Sequence, residues 1–329
     1  MRSAKPSGSF SAVLDRAGML LILVGLIVVC ALAVPGFRSP GNVMNILLQV
    51  STVGMVASTM LFCLASGNFD LSVGTLIPAG AVLCALVLKH TDQLALAVGA
   101  ALAFGLFVGL VNGTVVAKFK INPLITTLST MMMVRGAAFV FADGKSIGIN
   151  NSGLLDFANA AFPVIYRPGS DNVLFQVTAP VWVCFALFGI FGFLLKRTTF
   201  GRNTLAIGGN EDAARLAGIA VDRVKIAIFA AQGVVACLAG VLLAARLGIG
   251  DPKIAQGSEL SIIAACVLGG VSLSGGVGRM SFVIAGVFIM GIVENAMNLM
   301  NIDWPYQYIV RGAILLSAVL FDQARQRRN

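Results

Sequence analysis

The stretch LALAVGAALAFGLFVGLVNGTVV, Leu94 to Val116, runs for 23 residues without a charged side chain. As a helix rising about 1.5 Å per residue it spans a hydrocarbon core of about 30 Å. In lipid, an extended segment of that length would leave its backbone N–H and C=O groups without partners, so the run is read as a transmembrane helix. The rest of the chain has the same character. Of its 329 residues 58% are hydrophobic and 11% charged, against roughly a quarter charged in a soluble domain. The expected fold class is therefore all-α, a polytopic integral membrane protein whose main partner is the lipid bilayer.

Working outward from that run, apolar segments between polar or Gly/Pro punctuation give ten spans, at about 17–34, 43–65, 71–88, 94–116, 123–141, 173–195, 226–245, 259–273, 280–301 and 306–321. The eighth is short, and its glycine-rich tail VLGGVSLSGGVG, Val267 to Gly278, suits a broken or re-entrant helix buried in protein. The first begins behind basic residues and contains Ala31-Leu32-Ala33, which imitates a signal-peptidase site. Its length and the following Pro35 favour a retained helix. With the N-terminus in the cytoplasm, fifteen of the 23 Lys and Arg fall on the inner side, six outside and two, Arg135 and Arg311, within spans. That asymmetry places both termini in the cytoplasm. The organisation expected is one transmembrane domain over 1–329, with an N-terminal tail at 1–16, a cytoplasmic loop at 196–225 and a basic tail at 322–329. Basic residues scattered through loops explain the net charge of +9 without nucleic acid.

The two halves resemble each other. Asp70-Leu71-Ser72-Val73 returns as Glu259-Leu260-Ser261-Ile262, Gly109-Leu110-Val111-Asn112 as Gly291-Ile292-Val293-Glu294, and Val134-Arg135-Gly136-Ala137 as Val310-Arg311-Gly312-Ala313. Spans 2 to 5 then correspond to spans 7 to 10 in opposite orientation, an inverted repeat of the kind transporters use. The competing reading is chance similarity between Gly/Val-rich helices.

Charge inside a span costs about 2.5–3.5 kcal/mol even on lenient scales, so Arg135 and Arg311 need partners or water. In span 9, Glu294, Asn298 and Asn301 recur at helical spacing behind Gly291. They either line a hydrophilic path for a polyhydroxylated solute or neutralise Arg311 or Arg135. Asp70 and Glu259 each precede an apolar run and suit helix N-termini. The six cysteines lie singly in apolar runs and read as core residues, and His90, the only histidine, has no partner for a metal or catalytic site.

In the loop 196–225, Gly209-Asn210-Glu211-Asp212-Ala213-Ala214-Arg215 followed by Gly218 spells a two-turn helix. Asn210 is its N-cap, the acids sit in its first turn, and Gly218 can take the left-handed position after its end. So short a helix needs packing or a docking partner. No GxxxxGK[ST] is present, so ATP held by a P-loop would belong to another subunit, and no HExxH, GxSxG or Cys/His cluster points to an enzyme.

LASGNFDLSVG (Leu64 to Gly74), GLVNG (Gly109 to Gly113), KINPLITTL (Lys120 to Leu128), TTFGRNTLAIGGNEDAARLAGI (Thr198 to Ile219) and VLGGVSLSGGVG together resemble the permease subunits of bacterial carbohydrate importers of the ribose, xylose and arabinose type, in the ATP-binding cassette superfamily. The resemblance implies a multi-pass protein of the bacterial inner membrane that carries a monosaccharide, L-arabinose or a related pentose. It implies a homodimeric pore, a cytoplasmic ABC ATPase that uses ATP and Mg, and a periplasmic sugar-binding protein, with no cofactor bound by this chain. Residues 209–218 resemble the coupling helix of such importers, with Asp212 intervening after Glu211. A secondary transporter or channel working without an ATPase is the rival reading.

Overall fold

The computed structural model describes residues 9–166 and 173–326. In chain order the helices are α1 (Ser9–Ala33), α2 (Pro40–Ala65), α3 (Val73–Thr91), α4 (Leu94–Ala117), α5 (Pro123–Phe141), α6 (Ser152–Asn159), α7 (Ala179–Arg197), α8 (Thr199–Gly209), α9 (Glu211–Leu216), α10 (Val221–Leu247), α11 (Ser258–Leu268), α12 (Met280–Leu299) and α13 (Trp304–Gln326). The strands are β1 (Ile147–Gly148), β2 (Ala161–Tyr166), β3 (Val173–Thr178) and β4 (Ile249–Gly250). Of the expected tails, residues 1–8 and 327–329 lie outside the described residues.

Local chemistry sets the helix ends. Ser39 caps α2 by accepting from the Asn42 N–H at 3.3 Å, and Asn122 caps α5 by accepting from Leu124 N–H at 2.9 Å. Pro40 and Pro123 follow these caps at first-turn positions, where a missing N–H costs nothing. Among the described residues seven helices are long and apolar enough to cross a membrane: α2, α3, α4, α5, α7, α10 and α12. Shorter apolar helices run over Gly18–Ala33 and Ser258–Leu268. The protein is therefore a mostly helical polytopic membrane protein.

Apolarity does not mark the centre. The most apolar helix, α4, has a mean hydropathy of 2.5 and only 28% of its window buried in protein, whereas α2, at 1.8, is 72% buried. Lipid is itself an apolar solvent, so the most apolar helix can lie at the periphery while helices carrying Asn, Gln and Ser pack inside. Close approach comes from small residues. Gly105 and Gly109 of α4 face Gly233 and Phe229 of α10, and a methyl added at Gly105 would overlap the Gly233 carbonyl. All six cysteines are buried and unpaired.

The mostly helical class stands, with two small antiparallel pairs beside the helices, β1 with β4 and β2 with β3. Three boundaries differ from those expected. First, residues 173–178, assigned to the sixth span, form β3. Their VLFQVT is strand-forming, and Pro180 can be accepted only in the first turn of a helix, which therefore starts at Ala179. Second, the eighth run is helical only to Leu268, where Gly269 and Gly270 end it, and the rest of its tail is loop. Third, α12 stops at Leu299. Asn301 lies beyond it at φ 52° in a Schellman turn, its N–H reaching Asn298 O at 3.0 Å while Ile302 N–H reaches Met297 O at 2.9 Å.

Candidate functional site

The short helix α9 forms as its caps dictate. Asn210 Oδ1 accepts from Ala213 N–H at 2.9 Å, and Gly218, at φ +83°, donates to Arg215 O at 3.0 Å while Ile219 donates to Ala214 O at 3.1 Å. Ala214 is buried beneath the helix, whereas Gly209, Asp212 and Ala213 are exposed. Five charged groups fasten it to the membrane helices. Glu211 pairs with Lys225 at 2.6 Å, Lys120 at 3.3 Å and Arg215 at 3.4 Å, and Asp222 pairs with Arg215 at 2.8 Å and Lys120 at 3.4 Å. Partial burial pushes the Glu211 carboxyl up, but the hydrogen bonds and charges of Lys225 and Lys120 outweigh it and hold it below its ordinary value. Leu216 ends the helix with 90% of its surface exposed. It was absent from the sequence-derived site because a leucine in a helix reads as core, and only the fold shows that it points away.

The helix before it, α8, was not expected from sequence. It ends at a glycine junction: a methyl at Gly208 would overlap the Ala65 carbonyl, and Gly275 packs against Gly208 and Gly67. Gly276 N–H donates to Ala65 O at 2.9 Å. The end of α2, the approach to α9 and the glycine-rich loop before α12 therefore meet in one place.

Two polar clusters lie inside the bundle. At the α9 end, Asp70 is fully buried and its Oδ1 accepts from Ser72 N–H at 2.9 Å and Ser72 Oγ at 2.5 Å. Asn112 Nδ2 donates to Ser72 Oγ at 3.1 Å, and Thr130 Oγ1 donates to Asn112 Oδ1 at 2.6 Å. Toward the other end, Glu294 is ion-paired to Arg311 at 2.9 Å and accepts from Gln49 Nε2 at 2.8 Å and Ser261 Oγ at 3.1 Å. Arg311 also lies over the Tyr308 ring, 5.6 Å from its centroid. Glu294 is thus buried and engaged with Arg311. Asn298 is exposed and accepts from Gln307 Nε2 at 2.9 Å. Asn301 is exposed past the helix end, and Arg135 is exposed on α5, away from Arg311 and its cluster. Gln49 and Ser261 were not anticipated as partners of Glu294.

The chain is thus a many-helix membrane bundle with an ion pair inside it and a short helix anchored by charge at one end. The chain belongs to the family described as branched-chain amino acid transport system / permease component, whose profile matches residues 42–319, and within it to the sugar ABC permeases of the ribose and arabinose type. It is 50% identical to the L-arabinose transport system permease protein AraH of Escherichia coli K12 over 98% of this chain and 95% of that one. It is 42% identical to the L-arabinose ABC transporter permease protein AraH of Azospirillum brasilense, over 99% and 92%. It is 38% identical to the ribose import permease protein RbsC of Bacillus subtilis, over 96% and 95%. No solved structure matches the chain.

Proposed function

We propose that this chain is the pore-forming permease subunit of an ATP-driven, binding-protein-dependent importer of L-arabinose in the bacterial inner membrane. The observation that carries the substrate is the 50% identity over nearly the whole length to a permease named for L-arabinose. It is a transport subunit and not an enzyme. Two copies form the pore, a cytoplasmic ABC ATPase using ATP and Mg docks on the α9 side, and a periplasmic sugar-binding protein delivers the sugar. The chain itself binds no cofactor.

The membrane helices number ten, α1 to α5, α7 and α10 to α13, with both termini in the cytoplasm, and α2 to α5 are repeated inverted as α10 to α13. Two observations support the repeat. Ser72 meets Asn112 across 3.1 Å and Ser261 meets Glu294 across 3.1 Å, the pairs that the sequence matches make equivalent. Packing is reciprocal too: α10 lies against α3 and α4, and α2 lies against α11 and α12.

The segment from Gly209 to Gly218, which holds α9, is the coupling helix. Glu211 and Arg215 bind it to Lys120, Asp222 and Lys225, leaving Leu216 to enter an apolar pocket of the ATPase. Closure of the ATPase pair on ATP moves α9. Through the Gly208 junction that movement reaches α2 and the loop before α12, which swings access between the two faces. The loaded binding protein drives the cycle only by favouring one of those states. Glu294, Asn298 and Asn301 are the candidate groups along the path, with Arg311 holding Glu294 in place.

The test is uptake of labelled L-arabinose into proteoliposomes holding this chain, its ATPase and its binding protein, with Leu216→Asp as the coupling variant. Uptake that needs all three and ATP, and is lost in a correctly assembled Leu216→Asp complex, supports the reading. Uptake by this chain alone establishes instead a transporter or channel without an ATPase.

A further inference from the structure

The middle of α1, the end of α7, α8 and the start of α12 border a groove of about 770 Å³, within the size of small-molecule sites, roughly 300–1,000 Å³. Its wall is apolar, built from Leu20, Gly192, Leu195, Met280 and Ala285. Its mouth carries three cations, Lys196, Arg202 and Arg279, and among the described residues no carboxylate lines it. All three are exposed, and among the described residues none is ion-paired. The Arg279 guanidinium lies over the Phe282 ring, 5.6 Å from its centroid. The cations of the α9 anchor differ, since Lys120, Arg215 and Lys225 are each neutralised by Glu211 or Asp222.

The position of the groove is set by the helices that bound it. Lys196 lies in the last turn of α7 and Arg279 caps the start of α12, and both helices are long and apolar enough to span the membrane. The cations therefore stand at the edge of the hydrocarbon while the apolar wall runs into it. Arg279 also sits at a helix N-terminus, whose dipole adds to the positive potential. A free phosphate would use the mouth and leave the wall empty. A zwitterionic lipid would use the wall and bring a choline cation to the mouth.

We propose that this groove binds an anionic phospholipid, with the phosphate headgroup among Lys196, Arg202 and Arg279 and an acyl chain along Gly192, Leu195 and Met280. The bound lipid ties α7 and α8 to α12, the elements that lead into α9 and out of the Gly208 junction. The site is independent of the solute carried, and its test reads lipid binding, not transport.

The full-length chain is purified in detergent and titrated with phosphatidylglycerol or phosphatidylcholine, and bound lipid is counted by native mass spectrometry. Phosphatidylglycerol is retained preferentially. Arg202→Gln with Arg279→Gln, which removes two of the three cations, weakens it by at least about tenfold. Lys118→Gln with Arg223→Gln, the same charge change at exposed sites outside the groove, leaves retention unchanged. Gly192→Leu, which fills the wall without altering charge, lowers it. Phe282→Trp reports on the groove in an otherwise native chain, and brominated phosphatidylglycerol quenches it more than brominated phosphatidylcholine does; this decides the matter if the double variant does not fold. Equal retention of the two lipids, equal loss in the two double variants, or displacement of phosphatidylglycerol by millimolar inorganic phosphate overturns the proposal.

Discussion

The two buried polar clusters occupy matching positions and solve the same problem with different charge. Asn112 and Glu294 each stand five residues before the end of their helices, α4 and α12, and each meets a serine at 3.1 Å. In the first cluster an amide is completed by a neutral hydroxyl, Thr130. In the second a carboxylate is completed by a guanidinium, Arg311, whose side chain is only 21% exposed. The Asn112–Thr130 pair can lose a member without leaving a charge unpaired. The ionic one cannot, because each charge is the reason the other is tolerated.

The largest expected effect breaks that second cluster. Glu294→Ala leaves Arg311 without its counter-charge and removes the acceptor of Gln49 and Ser261, and should destabilise the protein by about 3 kcal/mol or more. Arg311→Met added to Glu294→Ala should recover part of the loss, since an apolar pair replaces a stranded cation. Thermal unfolding in detergent of the two single variants and the double gives the coupling directly. Additive losses would mean that the contact at 2.9 Å carries no energy.

Next comes the junction that both halves share. Gly208 touches the Ala65 carbonyl at the end of α2 and Gly276 in the loop before α12, so Gly208→Ala overlaps backbone on both sides. Overpacking of this kind costs about 1–3 kcal/mol. It should also reduce ATP hydrolysis stimulated by the sugar-loaded binding protein more than basal hydrolysis. Equal loss of both activities would place the damage in folding and not in transmission.

Asn112→Ala should cost less, about 1–2 kcal/mol, because it leaves no charge unpaired: Ser72 Oγ keeps its bond to Asp70, and Thr130 Oγ1 can still donate to Thr126 O. Asn112→Asp sharpens the comparison. It keeps the shape but sets a second carboxylate near the buried Asp70 with no cation in the cluster, so it should cost more than the alanine. A stability scan in which Asp is the milder of the two would show that the cluster holds an unrecognised positive charge.

How far these features are legible in sequence depends on the range of the interaction. The caps of α9 are local, and Asn210 to Gly218 could be read directly. The apolar runs predict where most helices lie, because hydropathy reports the solvent around each residue. Hydropathy is blind to Pro180 setting the start of α7 and to Asn301 closing α12, where the deciding term is backbone geometry. It is equally blind to α8, whose TFGRNTLAIGG is too polar to stand out as an apolar run and packs at the junction at Gly208. The Glu294 pair was open between two arginines in sequence. Packing of α11 and α13 against their neighbours selects Arg311, and brings in Gln49 from 245 residues away. No periodicity within one helix could indicate that partner.

The smallest effect separates the buried ion pair from the exposed ion network around α9. Glu211 is 36% exposed, so solvent screens it and Glu211→Gln should cost under about 1 kcal/mol at neutral pH. The sign of its pH dependence follows from a folded pKa held below the ordinary 4.5. Above 4.5 the carboxylate is charged in both the folded and unfolded chain, and its contribution is fully present. As pH falls through the folded pKa the proton goes on and the contribution is lost. The gap between the native chain and Glu211→Gln should therefore be constant from pH 7 down to about 5 and close at lower pH. It should also shrink with added salt, whereas the effect of Glu294→Ala should barely respond, because that pair lies where counter-ions do not reach. Unfolding midpoints of both variants at low and high salt make the distinction. A Glu294 effect as salt-sensitive as that of Glu211 would mean that water and ions enter the second cluster, and the contrast between the two would fail.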